Sequence, residues 1–270
     1  VHIKNINIEM QENTSNQDVY IGGIIANAEN SEVSNSSVLN LSIRNSVELT
    51  SNSTGAIMGV ASNTRIYNCW VQNIDYEIEN VLKSDGIGGI VGKFMNNGEL
   101  QNCYSEGKIV TTSSNVGGIV GSILNKNIIV HNTYSLVNIE SGGEYIGGIV
   151  GITSGGYNIY NNIAIGNLYA TQTTNYIGRI NGDTQSFSNN YAYIDQLING
   201  YKVSGTNSNV LSRNELLDSS IYINRVGFGN DFNYGELKYG VLPKLMNSDK
   251  NKLLEYQEDI KLEDDSENLS

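Results

Sequence analysis

Few side chains in this 270-residue sequence are suited to chemistry, and their spacing limits what they can do. The histidines are His2 and His131, and the cysteines are Cys69 and Cys103. Two cysteines with no histidine nearby cannot supply the four ligands of a structural zinc site. Each cysteine follows an asparagine in the same local text, Ile66-Tyr67-Asn68-Cys69-Trp70 and Leu100-Gln101-Asn102-Cys103-Tyr104, and Thr133 takes that slot in Val130-His131-Asn132-Thr133-Tyr134. A small packing residue accounts for the slot, and stacking of the two copies would also bring the thiols within disulfide reach. His131 occupies the position held by Gln101 and Tyr160 in other copies, so it is expected as an outward-facing surface side chain. Cleavage of a polysaccharide needs paired carboxylates, or Asp-bound calcium with a basic residue, converging on one face. Asp75, Glu77, Glu79, Asp85, Glu99, Glu106, Glu140 and Glu144 read as scattered, with no shared slot. The glycine-rich strings open strands and lack an in-phase P-loop lysine (Lys93 follows one copy only), so they do not read as phosphate loops. No catalytic residue, metal ligand or cofactor is assigned on these grounds.

These residues sit inside a repeat. GGIVG occurs at 88–92, 117–121 and 147–151, with degenerate copies at 22–26, 55–59 and 178–182. The first glycines, Gly22, Gly55, Gly88, Gly117, Gly147 and Gly178, are separated by 33, 33, 29, 30 and 31 residues. A second element reads apolar-x-Asn-small-aromatic and supplies an asparagine to every copy: Asn35, Asn68, Asn102, Asn132, Asn161 and Asn189. Runs such as Val71-Gln72-Asn73-Ile74-Asp75-Tyr76-Glu77-Ile78 alternate with period two, the mark of strands with one buried face.

One unit of about thirty residues cannot bury its apolar face alone, whereas stacked units can, with equivalent positions forming columns. The expected fold is all-β: a right-handed parallel β-helix of about six coils, roughly 30 Å long, with a small α-containing C-terminal cap. A β-propeller is disfavoured because a blade takes four antiparallel strands and about 40 residues. In the expected columns, glycines permit close backbone approach, asparagines form a corner ladder, and Trp70, Tyr104, Tyr134 and Tyr191 stack.

Composition narrows the function. The formal charge is −12, so clustered phosphate contacts with nucleic acid are not expected. No window approaches 18 continuous apolar residues, so no membrane insertion is expected. The opening VHIKNINIEM lacks an apolar signal-peptide core and reads as a strand, as in a chain excised from something longer. Residues 1–204 are assigned to the repeats and 205–254 to the cap, which begins with the capping-box text Ser212-Arg213-Asn214-Glu215 and runs helically through Leu216, Leu217 and Ile221. Residues 255–270 hold seven acidic residues against Lys261 and read as a solvated tail or linker.

GGIVG followed by Ile-x-Asn-Cys/Thr-Tyr resembles the bacterial surface repeat called the GLUG motif. With the opening Ile3-Lys4-Asn5-Ile6-Asn7-Ile8 and the closing Gly240-Val241-Leu242-Pro243-Lys244-Leu245, residues 1–250 are similar to the non-catalytic N-terminal region of Gram-positive zinc metallopeptidases of the immunoglobulin-A-protease or Zmp type. The resemblance implies a secreted or cell-wall-anchored bacterial protein. The family's H-E-x-x-H signature is absent from this chain, so zinc and catalysis would belong to a separate domain. The expected function is a non-catalytic, monomeric module that positions that domain and contacts a host glycoprotein. An adhesin or glycan-binding module is the alternative, with Tyr67, Tyr157 and Tyr160 as candidate surface-binding residues. A β-helix polysaccharide-cleaving enzyme is the third reading.

Overall fold

The computed structural model describes residues 1–10, 18–79, 81–173, 176–183, 187–202, 208–246 and 260–262. The chain forms a parallel β-solenoid of three sheets. One follows the glycines: Asp18–Gly22, Leu49–Gly55, Val81–Gly88, Val116–Gly117, Ile146–Gly147 and Ile177–Gly178, all parallel. A second contains Ile25–Glu29, Met58–Ser62, Val91–Met95, Val120–Leu124 and Val150–Ser154. The third combines short strands (Glu32–Ser34, Arg65–Tyr67, Gly98–Gln101) with long ones (His2–Glu9, Ser37–Asn45, Trp70–Ile78, Tyr104–Thr111), which merge in Ile128–Ser141. The six glycine copies give about five full turns. The sixth supplies its short glycine strand and a single bridge from Asn181 to Val150. Parallel pairing from turn to turn is incompatible with propeller blades.

The glycine column is in register throughout, from Gly22 to Gly178. A β-carbon on Gly88 would lie 2.1 Å from the Val91 carbonyl oxygen and 2.7 Å from the Gly121 nitrogen. Both obstacles are backbone and cannot swing aside, so the bend between the first two sheets requires glycine at this slot. Beyond the bend, Ile90 and Val91 and their equivalents Ile119, Val120, Ile149 and Val150 fill the interior with no exposure. The long strands close the core with the file Ile43, Tyr76, Ile109, Ile139. Each such aliphatic side chain contributes about 1.5–3 kcal/mol on burial, and only its neighbours above and below make that burial complete.

Asn35, Asn68, Asn102, Asn132, Asn161 and Asn189 lie in one file, with φ between 49° and 58°. That left-handed conformation turns the short strand into the long one. Asparagine tolerates it because its short amide bonds locally. The side-chain ladder itself is complete only toward the C-terminus: Asn161 Nδ2 donates to Asn132 Oδ1 at 3.1 Å, and Asn189 Nδ2 to Asn161 Oδ1. Buried Oδ1 atoms of Asn35, Asn68 and Asn102 have no protein partner. A parallel ladder absent from the sequence reading joins Asn5, Asn40 and Asn73 through bonds of 2.8 and 3.0 Å.

The C-terminal segment extends beyond the last coil. Ser212 and Glu215 form the expected capping box, but the α-helix is one turn, Arg213–Leu216, followed by a π-turn at Ile221–Val226 that ends on Gly227 at φ 95°. The regular helix expected through Ile221 gives way because Leu216 and Tyr222 must both reach one apolar surface, where the Tyr222 hydroxyl donates to the Leu216 carbonyl. From there the chain folds back along the flank of the solenoid. Asp231 Oδ2 accepts from Asn102 Nδ2 at 2.8 Å, and the Tyr134 hydroxyl donates to the Pro243 carbonyl at 2.6 Å. Ile260–Leu262 pairs antiparallel with this strap through Val241 and Lys261, and Ile260 and Leu262 are buried. Those three residues are therefore not solvated linker. Their apolar-Lys-apolar alternation has a partner that local text did not show. Residues 203–207, 247–259 and 263–270, including most of the expected tail and part of the cap, lie outside the described residues.

Candidate functional site

Two surfaces gather the residues singled out from the sequence. The first is the aromatic column. Trp70, Tyr104 and Tyr134 stack at ring separations of 6.2 and 4.8 Å, nearly parallel, and Tyr191 lies in the same file beyond Ile163. Strand alternation points these rings away from the interior that Val71 and Cys69 share. The strap covers them: Phe228 and Phe232 approach Tyr134 at 6.4 and 6.1 Å. Burial pushes the Tyr104 and Tyr134 hydroxyls well above the ordinary tyrosine range. This second apolar cluster is structural, because no ring in it faces solvent.

The second surface is the outer face of the short strands. There the file Ser34, Tyr67, Gln101, His131, Tyr160 runs across successive turns. Tyr67 and Tyr160 share that file, whereas Tyr157 is in register with Gly98 and Ile128 and packs against the interior, edge-on to Phe187 at 5.5 Å. The three tyrosines thus do not form one face. A neighbouring file holds Glu32, Arg65 and Glu99, then Ile129 and Asn158. Of the eight acidic residues read as scattered, Glu99 alone lies in this file, where its one acidic companion is Glu32, two turns earlier with Arg65 between them. Glu32, Arg65 and Glu99 each stand three positions before the column asparagine of their unit, an offset that alignment on those asparagines reveals.

The two files are knitted together. Glu99 faces Arg65 Nε at 3.5 Å and His131 Nε2 at 3.2 Å, and the Tyr67 hydroxyl donates to Glu32 at 2.6 Å. His131 lies flat on Tyr160, rings 4.9 Å apart, and is only 9% exposed. Its expected surface exposure is corrected: it points outward, but Tyr160 and Glu99 cover it. Beside these side chains an open trough of about 530 Å³ is lined by Asn30, Ser31, Glu32, Asn63, Arg65, Asn97, Gly98 and Glu99. It presents amides, carboxylates and one guanidinium at intervals of about 4.8 Å, one set per turn. Such a surface suits recognition of a polar, extended partner through hydrogen bonds.

Cys69 and Cys103 are free thiols stacked in the interior, with the Cys69 N–H directed at Cys103 Sγ at 3.4 Å. Burial, reinforced by Cys69, pushes the Cys103 thiol up. Thr133 continues their file and bonds Asn162 Oδ1 through both N–H and hydroxyl. Among the described residues, no cluster of three or more His, Cys, Asp or Glu is placed to hold a metal. No described helix is long and apolar enough to cross a membrane.

In comparisons with known proteins, no family model and no curated protein matches the chain. Among solved structures it is similar to the crystal structure of a "putative immunoglobulin A1 protease" from Bacteroides ovatus. The TM-score is 0.67 and identity 21%, over 90% of this chain and 74% of that one. At that identity the likeness is one of fold. The GLUG assignment and the Gram-positive origin gain no support from these comparisons.

Proposed function

We propose that this chain is a non-catalytic repeat module of a larger extracellular bacterial protease. In this reading the solenoid holds a separate zinc-dependent catalytic domain at a distance, and the short-strand face touches the protein substrate. The fold likeness over 90% of the chain to a structure described as an immunoglobulin A1 protease is the observation that supports it. The geometry is consistent with that role. A continuous core with its flank strapped by Asn102–Asp231 and Tyr134–Pro243 makes a stiff spacer, and the Glu32–Arg65–Glu99 file offers pre-positioned polar groups.

The test begins with the longer gene product, which should contain H-E-x-x-H outside these residues. Deleting residues 1–246 from it should leave kcat on a short unstructured peptide within about twofold, yet raise KM for the intact protein substrate about tenfold or more. A gene product without the motif, or a deletion that moves both substrates equally, would overturn the proposal. An adhesin would instead retain its binding partner without any linked protease.

A further inference from the structure

We infer that Tyr145 and Tyr176 form a stacking platform for a neutral or amino-bearing pyranose ring of a glycan. Among the described residues, eighteen non-glycine residues have positive φ, and seventeen of them are asparagine; the other is Tyr145, at φ 62°. Its slot precedes the glycine-sheet strand. The same slot holds Gly86 at φ 150° two turns earlier and Asn115 at φ 61° one turn earlier. Gly and Asn suit that backbone, whereas a bulky aromatic is strained there, and strain of this kind persists where a site needs a particular side chain.

The strain is not offset by core burial, since neither Tyr145 nor Tyr176 belongs to either hydrophobic cluster. Instead the two rings lie flat on one another at 5.0 Å and 9°, and Tyr176 is 49% exposed. The rim is polar. Glu144 is exposed, its N–H held by Ser114 Oγ at 2.9 Å, and Gln172 lies exposed against Gly142.

A protein hot spot sits in a desolvated apolar pocket ringed by further contacts, and among the described residues the two tyrosines belong to no such apolar cluster. The half-exposed Tyr176 ring, backed by Tyr145, with the exposed Glu144 and Gln172 in the turns that carry the pair, matches a pyranose instead: a sugar's C–H face can cover the ring while its hydroxyls or amino group meet those polar side chains. Glu144 and the net charge of −12 disfavour sulfated or sialylated chains.

Titrate the whole chain by NMR with chitosan trimer, N-acetylchitotriose and mannotriose, using a sulfated trisaccharide as control. At least one of the three should bind with Kd of about 1 mM or tighter. Tyr145→Asn and Tyr176→Ala should each weaken that binding about tenfold, while Tyr145→Asn leaves Tm unchanged or raises it by relieving the turn. Binding by none of the three, preference for the sulfated control, binding unaffected by Tyr145→Asn, or a fall in Tm for that variant would each overturn the inference. The readout involves no proteolysis, so it stands or fails independently of the protease reading.

Discussion

Asn68 shows what one residue does in this molecule. Its φ of 53° turns the short strand into the long one, its N–H reaches the Gln101 carbonyl at 3.3 Å, and its buried Oδ1 has no protein partner. Backbone conformation is therefore its main contribution. Asn68→Ala should cost about 1–2 kcal/mol, the penalty for a β-carbon in the left-handed region. Asn68→Gly should stay within about 1 kcal/mol of the parent. Urea unfolding of both variants separates this account from one in which the amide's bonds dominate, where alanine and glycine would cost alike. The asparagine file was legible in the sequence because every turn repeats the same backbone demand. Tyr145 was not, since nothing in its text distinguishes it from the other sixteen tyrosines until its φ is seen.

Among the elements, the strap departs most from local expectation. Its helical start was readable from Ser212 and Glu215, whose bonds close within four residues. Its path along the flank was not, because it depends on contacts spanning 129 and 109 residues, Asn102–Asp231 and Tyr134–Pro243. Phe228 joins the two parts, lying 6.4 Å from Tyr134 and 5.6 Å from Tyr222. Phe228→Ala should destabilise by about 3–5 kcal/mol, the usual cost of emptying a buried phenylalanine site. Chemical denaturation measures the loss directly. A change under 1 kcal/mol would mean that the strap adds little to the stability of the solenoid. The file of Glu32, Arg65 and Glu99, by contrast, obeys the repeat: each stands three positions before its column asparagine, so the same offset that places the asparagines in register places these side chains too.

At the scale of the whole molecule, buried tyrosines make stability depend on alkaline pH. Burial raises the hydroxyls of Tyr76, Tyr104, Tyr134 and Tyr222 above their ordinary range. In the unfolded chain they ionise near pH 10, so above that the unfolded state holds fewer protons than the folded one. Their contribution is fully present below pH 10 and declines as pH rises through and beyond it, by about 1.4 kcal/mol per pH unit for each tyrosine still protonated in the fold. Absorbance at 295 nm should show these hydroxyls ionising together with loss of β-sheet circular dichroism, in one steep alkaline transition. Gradual ionisation ahead of unfolding would contradict the packing of both apolar clusters.

The thirty-residue period, the glycine and asparagine columns and the interior Ile-Val pairs could all be read from residues alone. Parallel stacking returns each slot to the same surroundings once per turn, so packing and backbone constraints are written repeatedly into the text. Segments that occur once have no such repetition. The route of the strap and the burial of Ile260 and Leu262 arise from pairings between distant or unique stretches. Local periodicity sets no constraint on those pairings, and they become visible only when the coils are stacked.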